Sequence, residues 1–294
     1  MVSVMSKQVY LDVTNKIIEM METSIDNWEQ PWVSNNSGMP KRYNGEHYNG
    51  INVLLLWIAK AQNQYKSDQW MTFNQIKELG GNVKKGSKSE KVIFYKPISV
   101  TDTDSHGNEI NKTFPLLKTY NVFNVDQTEG LLEKYYTTTT EKRNINKGSK
   151  DQVAEAFFNN IEGLKVEFGA DLAAYYPSLD MIKMPDFEQF KNPESYYSTF
   201  AHETVHWTKS KNRLDRSFGE SRFGNEAYAM EELVAELGAA FIMADLQLSN
   251  VVRIDHVSYI KAWIKILKND PKAIFTASSY ATKAVSYLTK QNIK

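Results

Sequence analysis

Residues 202–206 read His-Glu-Thr-Val-His, and this motif constrains the chain more than any other feature. In a helix, His202 and His206 project from one face a turn apart, the separation at which two imidazoles chelate one metal ion. Glu203 lies about 100° further round, where it reaches a water on the open side of the metal. Zinc lowers the pKa of such a water to about 7, so Glu203 is the predicted general base. The alternative is a surface helix with two solvated histidines.

The Ala- and Leu-rich segment 226–245 is predicted to be a second helix that completes the site. Its predicted buried stripe consists of Leu233, Leu237, Ala240 and Ala244. Glu232 and Glu236 flank this stripe, and a half-buried carboxylate is costly unless a cation meets it. Glu232 is therefore the predicted third metal ligand, and Glu236 is expected to accept a hydrogen bond from a ligating histidine. Two alternatives stay open: Glu236 is the ligand in place of Glu232, or both acids are surface charges beside a buried stripe. Glu231 is expected to point into solvent.

The composition limits the classes of protein that the chain can be. Its 294 residues suffice for one large or two medium domains, and 41% hydrophobic with 24% charged residues is typical of a soluble protein. No apolar run approaches the roughly 18 residues of a membrane span, and the first residues do not resemble a secretory signal, so a cytoplasmic location and no membrane partner are expected. The absence of cysteine excludes disulfides, cysteine nucleophiles and thiolate zinc sites.

The charge is unevenly distributed, although the formal net charge is zero. Residues 38–100 contain ten lysines and arginines against four acids, and aromatic residues lie between the basic ones. Cationic and aromatic groups in one segment are typical of proteins that bind single-stranded nucleic acid. The candidate DNA-binding residues are Lys41, Arg42, Tyr43, Tyr48, Lys84, Lys85, Lys88, Lys91 and Tyr95. The alternative is a solvated lysine face with the aromatic rings in the core, where Trp28, Trp32, Trp57 and Trp70 are expected.

Hydrophobic periodicity predicts an α+β protein of two domains. Helices are expected over residues 1–27, 51–62, 70–79, 151–160, 194–209, 226–245, 256–268 and 271–290. Strands are expected over 91–98, 113–125, 165–168, 173–176 and 181–184, with a polar hairpin tip containing His106. The polar segment 131–150 is the predicted linker between an N-terminal α+β domain, 1–130, and a mostly helical C-terminal domain with a small sheet, 151–294.

The chain resembles the ArdC-type antirestriction proteins of conjugative plasmids and mobile elements, whose N-terminal domain is shared with plasmid TraC primases. The motifs that carry this resemblance are Trp28-x-x-Pro31-Trp32 and the segments 48–54, 70–75, 80–86, 120–124, 175–177, 201–207, 213–216, 223–224 and 228–236. The resemblance implies an N-terminal single-stranded-DNA-binding domain and a C-terminal zincin-like metallopeptidase domain. It places the metal motif on His202, His206 and Glu232, with Glu203 as the acid that activates water.

The sequence therefore predicts an antirestriction protein of a mobile element that binds single-stranded DNA and carries one zinc ion in a peptidase-like site. Two alternatives stay open: a zinc protease that cleaves a host-defence protein, and a domain with a purely structural zinc that has lost activity. A protein or peptide substrate is a possible second partner. The oligomeric state is left open, and such a motif also accepts other divalent ions.

Overall fold

The computed structural model of the chain describes residues 2–24, 38–103, 109–136, 145, 148–219, 226–249 and 257–292. Trp28, Trp32, the motif at 223–224 and His106 lie outside these ranges. The described residues form eight α-helices: α1 (Val2–Ser24), α2 (Ile51–Asn63), α3 (Phe73–Glu78), α4 (Gln152–Asn159), α5 (Pro193–Trp207), α6 (Glu226–Asp245), α7 (Val257–Asn269) and α8 (Ala273–Gln291).

The same residues form nine strands: β1 (Lys41–Arg42), β2 (Gln69–Thr72), β3 (Asn82–Val83), β4 (Glu90–Thr103), β5 (Glu109–Asn124), β6 (Thr128–Glu129), β7 (Lys165–Phe168), β8 (Ala174–Tyr176) and β9 (Met181–Met184). They make a four-stranded sheet of order β1-β2-β5-β4, a two-stranded pair β3-β6 and a three-stranded sheet of order β7-β9-β8. The α+β architecture expected from the sequence is confirmed.

The N-terminal half is built on the long antiparallel hairpin of β4 and β5, in which Glu90 pairs with Val122 and Thr103 with Glu109. The amide of Asn52, at the start of α2, makes two hydrogen bonds to the backbone of Ile93, 2.7 and 2.8 Å long. These bonds fix α2 against β4. They are needed because a buried backbone group without a partner destabilises the fold.

The helix predicted over residues 70–79 is wrong in its first part. Residues 69–72 form strand β2, and the helix begins only at Phe73. Thr72 starts it with a capping box, in which its hydroxyl accepts from the backbone N–H of Gln75 and the Gln75 side chain accepts from the N–H of Thr72. Trp70 is buried where β2 pairs with β5, so tertiary pairing decides the conformation of this segment.

The C-terminal half places the small sheet β7-β9-β8 against α5 and packs α6 against α5, α7 and α8. The sequence predicted all four of these helices to within a few residues of their bounds. The sequence predicted only one buried stripe on α6, whereas every residue from Ala229 to Ala244 is buried. Each acid on a helix that is covered on all sides needs a cation or a hydrogen-bond donor beside it, because burying an unpaired charge is costly.

The two halves share one contiguous hydrophobic core. The hydroxyl of Thr14 in α1 donates to the carbonyl of Pro271, 2.7 Å away, and the N–H of Gly50 donates to Oγ1 of Thr282 in α8, 2.9 Å away. Each bond joins the N-terminal to the C-terminal half. Among the residues that the structure describes, no helix is long and apolar enough to cross a membrane.

The predicted linker 131–150 is only partly described, since residues 137–144 and 146–147 lie outside the described ranges. Its first residues pack against the N-terminal half, because Leu131 and Tyr135 are buried in a cluster with Met71 and Val125. The division into 1–130, 131–150 and 151–294 stays a prediction.

Candidate metal centre and nucleic-acid face

Helix α5 presents His202 and His206 to the interior of the C-terminal half. The helix begins where Oδ1 of Asn192 accepts from the N–H of Ser195, 2.8 Å away, and Pro193 occupies the first helical position. Both histidines are buried, and their Nε2 atoms lie 3.0 Å apart. The spacing of four residues thus brings the two imidazoles together as the sequence predicts.

Helix α6 brings Glu232 to the same point. Its Oε2 lies 3.5 Å from Nε2 of His202 and its Oε1 lies 3.4 Å from Nε2 of His206. One ligand atom from each of the three residues can be chosen so that all lie within 4.8 Å of one another. The carboxylate and the two rings therefore converge on one small volume between the helices.

Gly238 allows this convergence because it lets the two helices approach closely. A Cβ at position 238 would lie 2.7 Å from Cγ2 of Val205 on α5, closer than side-chain atoms pack. Gly238 lies two residues beyond Glu236 on α6, and Val205 lies next to His206 on α5. The missing side chain thus sets the separation of the two helices beside the histidines.

Each histidine has its own carboxylate on the ring nitrogen that faces away from Glu232. Nδ1 of His202 lies 3.5 Å from Oε2 of Glu236, where the sequence predicted this contact. Nδ1 of His206 lies 3.0 Å from Oε1 of Glu231. The hydrogen bond between Glu231 and His206 orients that ring and leaves its Nε2 as the ligand atom, while Glu236 lies at the longer distance from His202.

The expectation that Glu231 points into solvent is wrong. Glu231 is buried, and besides His206 it binds Arg216, whose Nε and Nη2 donate to its two oxygens at 2.8 Å each. Arg216 also donates to Oγ1 of Thr208 at 3.0 Å and to the carbonyl of Val205 at 2.9 Å. The motif at 213–216 was recognised in the sequence without a role for Arg216. No periodicity could supply that role, because Arg216 lies in the segment after α5 and its partner Glu231 lies on α6.

These contacts set the pKa values of the cluster. Burial alone would raise the pKa of Glu231, but the hydrogen bonds from Arg216 and His206 outweigh it and lower the pKa to about 2. Burial also opposes ionisation of Glu232, and the two histidines nevertheless hold its pKa well below the usual range. Burial opposes the charged form of His206, but Glu231 and Glu232 raise its pKa. The cluster therefore stabilises positive charge between its carboxylates.

The donor set fits a divalent metal ion. Two imidazole nitrogens and one carboxylate oxygen are the protein ligands of one common class of zinc site, which leaves a fourth position for water or substrate. The contacts of Glu236 and Glu231 with the remaining ring nitrogens match the surroundings of such a site.

Glu203 faces the small sheet. Its Oε2 accepts a hydrogen bond from the backbone N–H of Tyr175 in β8, 2.9 Å away. β8 is an edge strand of its sheet, and it is held by Tyr175, whose hydroxyl donates to Oδ1 of Asp180 at 3.0 Å. Arg213 donates to Oδ2 of the same Asp180 at 3.0 Å. The carboxylate of Glu203 is thus oriented beside, and not within, the set of three ligands.

The structure places the predicted DNA-binding residues on several segments of the N-terminal half. Lys41 and Arg42 form β1, Lys91 and Tyr95 lie on β4, and the remaining lysines, Lys84, Lys85 and Lys88, are exposed between β3 and β4. The guanidinium of Arg42 lies 5.3 Å from the ring centre of Phe94, which is 41% exposed. Tyr43 is 41% and Tyr95 47% exposed, so both rings are accessible.

Tyr48 does not offer its ring to a base. It is only 5% exposed, and its ring belongs to the main core, with the guanidinium of Arg42 5.4 Å from its centre. The density of aromatic residues in this segment did not distinguish core rings from surface rings, because both types occur next to basic residues in the sequence. Trp57 and Trp70 are buried, as expected.

Comparison with known proteins matches each half of the chain to a protein family. Residues 7–123 match the model of the N-terminal domain of anti-restriction factor ArdC, and residues 152–280 match a zincin-like metallopeptidase model. The crystal structure of the antirestriction ArdC protein from plasmid R388 in its metal-free form superposes with a TM-score of 0.80 at 38% identity, over 96% of this chain and 97% of that one. The chain belongs to the ArdC family.

Further relatives agree with this assignment. A Mn(II)-bound structure of the R388 ArdC protein superposes with a TM-score of 0.79 at 36% identity, over 97% of this chain and 98% of that one. The uncharacterised protein y4eC of Sinorhizobium fredii is 34% identical over 96% of this chain and 92% of its own length. A DNA primase TraC of Escherichia coli is 30% identical over 94% of this chain, which spans 19% of that primase.

Proposed function

We propose that this chain is an antirestriction protein that binds single-stranded DNA through its N-terminal half and hydrolyses peptide bonds at a divalent-metal site in its C-terminal half. The observation that carries the proposal is the convergence of His202, His206 and Glu232 in a chain that resembles the R388 antirestriction ArdC protein over nearly its whole length. The similarity to a TraC primase, which covers 94% of this chain, and the match of residues 7–123 to the N-terminal domain of ArdC support the DNA-binding part.

His202, His206 and Glu232 would hold the ion, with Glu236 and Glu231 orienting the two rings. Zinc is the ion that this donor set favours, and the Mn(II)-bound relative indicates that other divalent ions are accepted. When bound, the ion supplies Lewis acidity and lowers the pKa of water in its open position.

Glu203 is the proposed proton acceptor. The residue follows directly after His202, so its carboxylate comes from the same turn of α5 as one ligand but is turned toward β8. The N–H of Tyr175 keeps the side chain in this orientation. A carboxylate held in this way can take a proton on one oxygen while the other remains hydrogen-bonded.

The peptidase part is tested with fluorescein-labelled casein and with the chain itself as substrates. We expect Glu203→Gln to bind metal as the wild type does and to lose cleavage. Glu226→Gln is the matched control, because Glu226 is an exposed acid at the start of α6, with its Oε1 3.6 Å from Nζ of Lys265. Cleavage that persists in Glu203→Gln would remove this residue from the role of base. A wild type that cleaves neither substrate but loses stability on chelation would favour a structural ion.

The DNA-binding part is tested by anisotropy of a labelled oligo(dT) at low and at moderate salt. Neutralised phosphates release counterions, so the affinity is expected to fall steeply as salt rises. Binding that is absent, or that does not change with salt, contradicts this part of the proposal.

Antirestriction is tested by adding the protein to unmodified DNA before a restriction endonuclease. Protection that survives in Glu203→Gln would mean that the protein shields DNA, whereas protection that disappears would mean that it attacks the nuclease. Absence of protection by the wild type against several endonucleases would overturn the antirestriction role.

A further inference from the structure

The outer face of α8 carries lysine and hydroxyl side chains that can contact the phosphates of a nucleic acid. Helix α8 contains no aspartate or glutamate. Its exposed residues recur three and four apart, and they are Thr276, Ser279, Lys283, Ser286 and Lys290. This spacing places them in one line along the helix. A line of lysines and hydroxyls without acids is suited to contact a polyanion.

Four residues of this line, Ser279, Lys283, Ser286 and Lys290, help to form one wall of two adjoining cavities between the halves of the chain. The first, about 320 Å³, is lined on the N-terminal side by Arg42, Phe94 and Tyr95 and on the α8 side by Ser279 and Lys283. The second, about 390 Å³, continues past Ser286 and Lys290. Asn49 and Thr282 line both cavities, so the two form a continuous groove, which we call the α8 groove.

The walls of the α8 groove are fixed to each other. The N–H of Gly50 donates to Oγ1 of Thr282 across the groove, 2.9 Å away. Behind the aromatic wall, Asn52 holds the backbone of Ile93, the residue before Phe94. A binding surface whose parts are held in place in this way loses little conformational entropy when a ligand binds.

The charges and rings of the groove suit a single strand of nucleic acid. Phe94 and Tyr95 are 41% and 47% exposed, which leaves ring surface for stacking. The acid that lines the second cavity, Asp245, lies 3.6 Å from Nδ1 of His47, and Glu46 lies 3.3 Å from Nη1 of Arg42. Arg42, Lys283 and Lys290 thus give an excess of positive charge to a groove whose lining, among the described residues, contains one acid, Asp245.

We propose that the α8 groove is part of the site for single-stranded DNA, with bases on the Phe94 and Tyr95 wall and phosphates on Lys283, Lys290 and the hydroxyls between them. The inference rests on the proposed DNA-binding function and deepens it, since it assigns contacts to the C-terminal half. The DNA site is then composite, and neither half alone provides the whole of it.

The groove and the candidate metal centre lie at separate positions along α6. Asp245 lines the groove at the end of α6, and Glu232 lies thirteen residues earlier on the same helix. At 1.5 Å per residue the two positions are about 20 Å apart along the helix. A strand in the groove and a peptide at the metal centre can therefore be bound at the same time.

The charge contribution is tested with Lys283→Gln/Lys290→Gln in the full chain, by anisotropy of labelled oligo(dT) over a range of salt concentrations. The salt slope is the slope of the logarithm of affinity against the logarithm of salt concentration. Loss of two phosphate contacts should reduce its magnitude by about 1.4 and weaken binding roughly tenfold at physiological salt. The matched control is Lys191→Gln/Lys211→Gln, which removes two exposed lysines of the same half that do not line the groove. An unchanged affinity and slope in the first variant would overturn the proposal.

Position is tested by cross-linking, for which the absence of cysteine in the chain is an advantage. Ser279→Cys and Ser286→Cys each carry one photoreactive label in the groove, and Ser178→Cys carries it on an exposed turn of the small sheet. We expect the two groove positions to capture oligo(dT) and Ser178→Cys to capture little. Equal yields at the three positions would overturn the proposal. A wild type that does not bind oligo(dT) would instead contradict the proposed function itself.

Discussion

The candidate metal centre and the α8 groove differ in their position relative to the two halves of the chain. The metal centre lies within the C-terminal half, where His202, His206 and Glu232 are buried and nearly touch. The groove lies between the halves, and its charged groups Arg42 and Lys283 remain in contact with solvent. The first site therefore depends on packing, and the second depends on the number and placement of charges.

This difference predicts how each region responds to mutation. Removing one member of a buried, hydrogen-bonded cluster leaves its partners charged in a low-dielectric interior, which destabilises the fold. Removing an exposed lysine changes the fold little, because water and salt already screen its charge. Mutations at the candidate metal centre should therefore affect stability and metal binding together. Mutations of the exposed lysines proposed to contact DNA should affect DNA binding and leave stability unchanged.

The largest effect is expected for Glu232→Ala. Without this carboxylate the two histidines cannot hold the ion, so elemental analysis should find about one ion per wild-type chain and almost none in the variant. At a metal concentration 100 times the dissociation constant, wild-type stability should rise by about 2.7 kcal/mol and the variant should not respond.

Glu236→Gln is the control that separates the two glutamates. It retains all three proposed ligands and weakens only the contact with Nδ1 of His202, so metal affinity should fall about 10- to 100-fold without being lost. If Glu236→Gln loses the metal and Glu232→Ala retains it, the roles of the two residues are exchanged.

The next effect concerns Arg216, which the sequence did not assign to the site. Arg216→Met leaves the carboxylate of Glu231 buried without its main cationic partner and should cost about 3–5 kcal/mol of unfolding free energy. Urea denaturation with a chelator present measures this without a contribution from metal binding. The double variant Arg216→Met/Glu231→Leu should be more stable than Arg216→Met alone. A loss below 1 kcal/mol in the single variant would show that the ion pair is not buried as described.

A smaller effect is expected for Gly238→Ala, which tests the close approach of α5 and α6. Alanine favours the helix by about 1 kcal/mol, but its Cβ would lie 2.7 Å from Cγ2 of Val205, and overpacking costs about 1–3 kcal/mol. We expect a net destabilisation of roughly 1 kcal/mol in thermal unfolding. In a Val205→Ala background the clash is absent, so the same substitution should become stabilising. A stabilising effect in both backgrounds would contradict the close contact.

The smallest effect on the fold is expected for Lys85→Gln/Lys88→Gln, between β3 and β4. Both side chains are exposed, so the unfolding free energy should change by no more than about 0.5 kcal/mol. If both contact phosphates, the salt slope of oligo(dT) binding should fall by about 1.4. Lys191→Gln/Lys211→Gln is again the control. An unchanged slope would restrict the DNA site to the neighbourhood of Arg42 and the α8 groove.

Much of the C-terminal half could be predicted because its signals are local. The spacing of His202 and His206 within one helix is a property of the backbone alone, and the helices around them follow from hydrophobic periodicity. The hydrogen bond of Asn192 that begins α5 is local as well. The convergence of Glu232 with the histidines agrees with the prediction, while the roles of the predicted site residues stay proposals.

The errors concern residues whose surroundings come from distant parts of the chain. Glu231 was expected in solvent because its own helix shows an apolar stripe elsewhere, but α5 and Arg216 cover it. Residues 69–72 became a strand because β5 offers a pairing edge. Tyr48 was expected to contact DNA but is buried in the core, since only packing decides which ring of this segment is buried and which is exposed.

The sequence by itself determined the positions of the two histidines, the helices that carry them and the donor types available to a metal, because helical geometry and residue chemistry do not depend on the rest of the chain. The tertiary structure decided which carboxylate meets which ring, how closely α5 and α6 approach, and that α8 faces Arg42 and Phe94 across a groove. These features depend on contacts between segments far apart in the chain, and burial and pairing of such segments are settled only when the whole core forms.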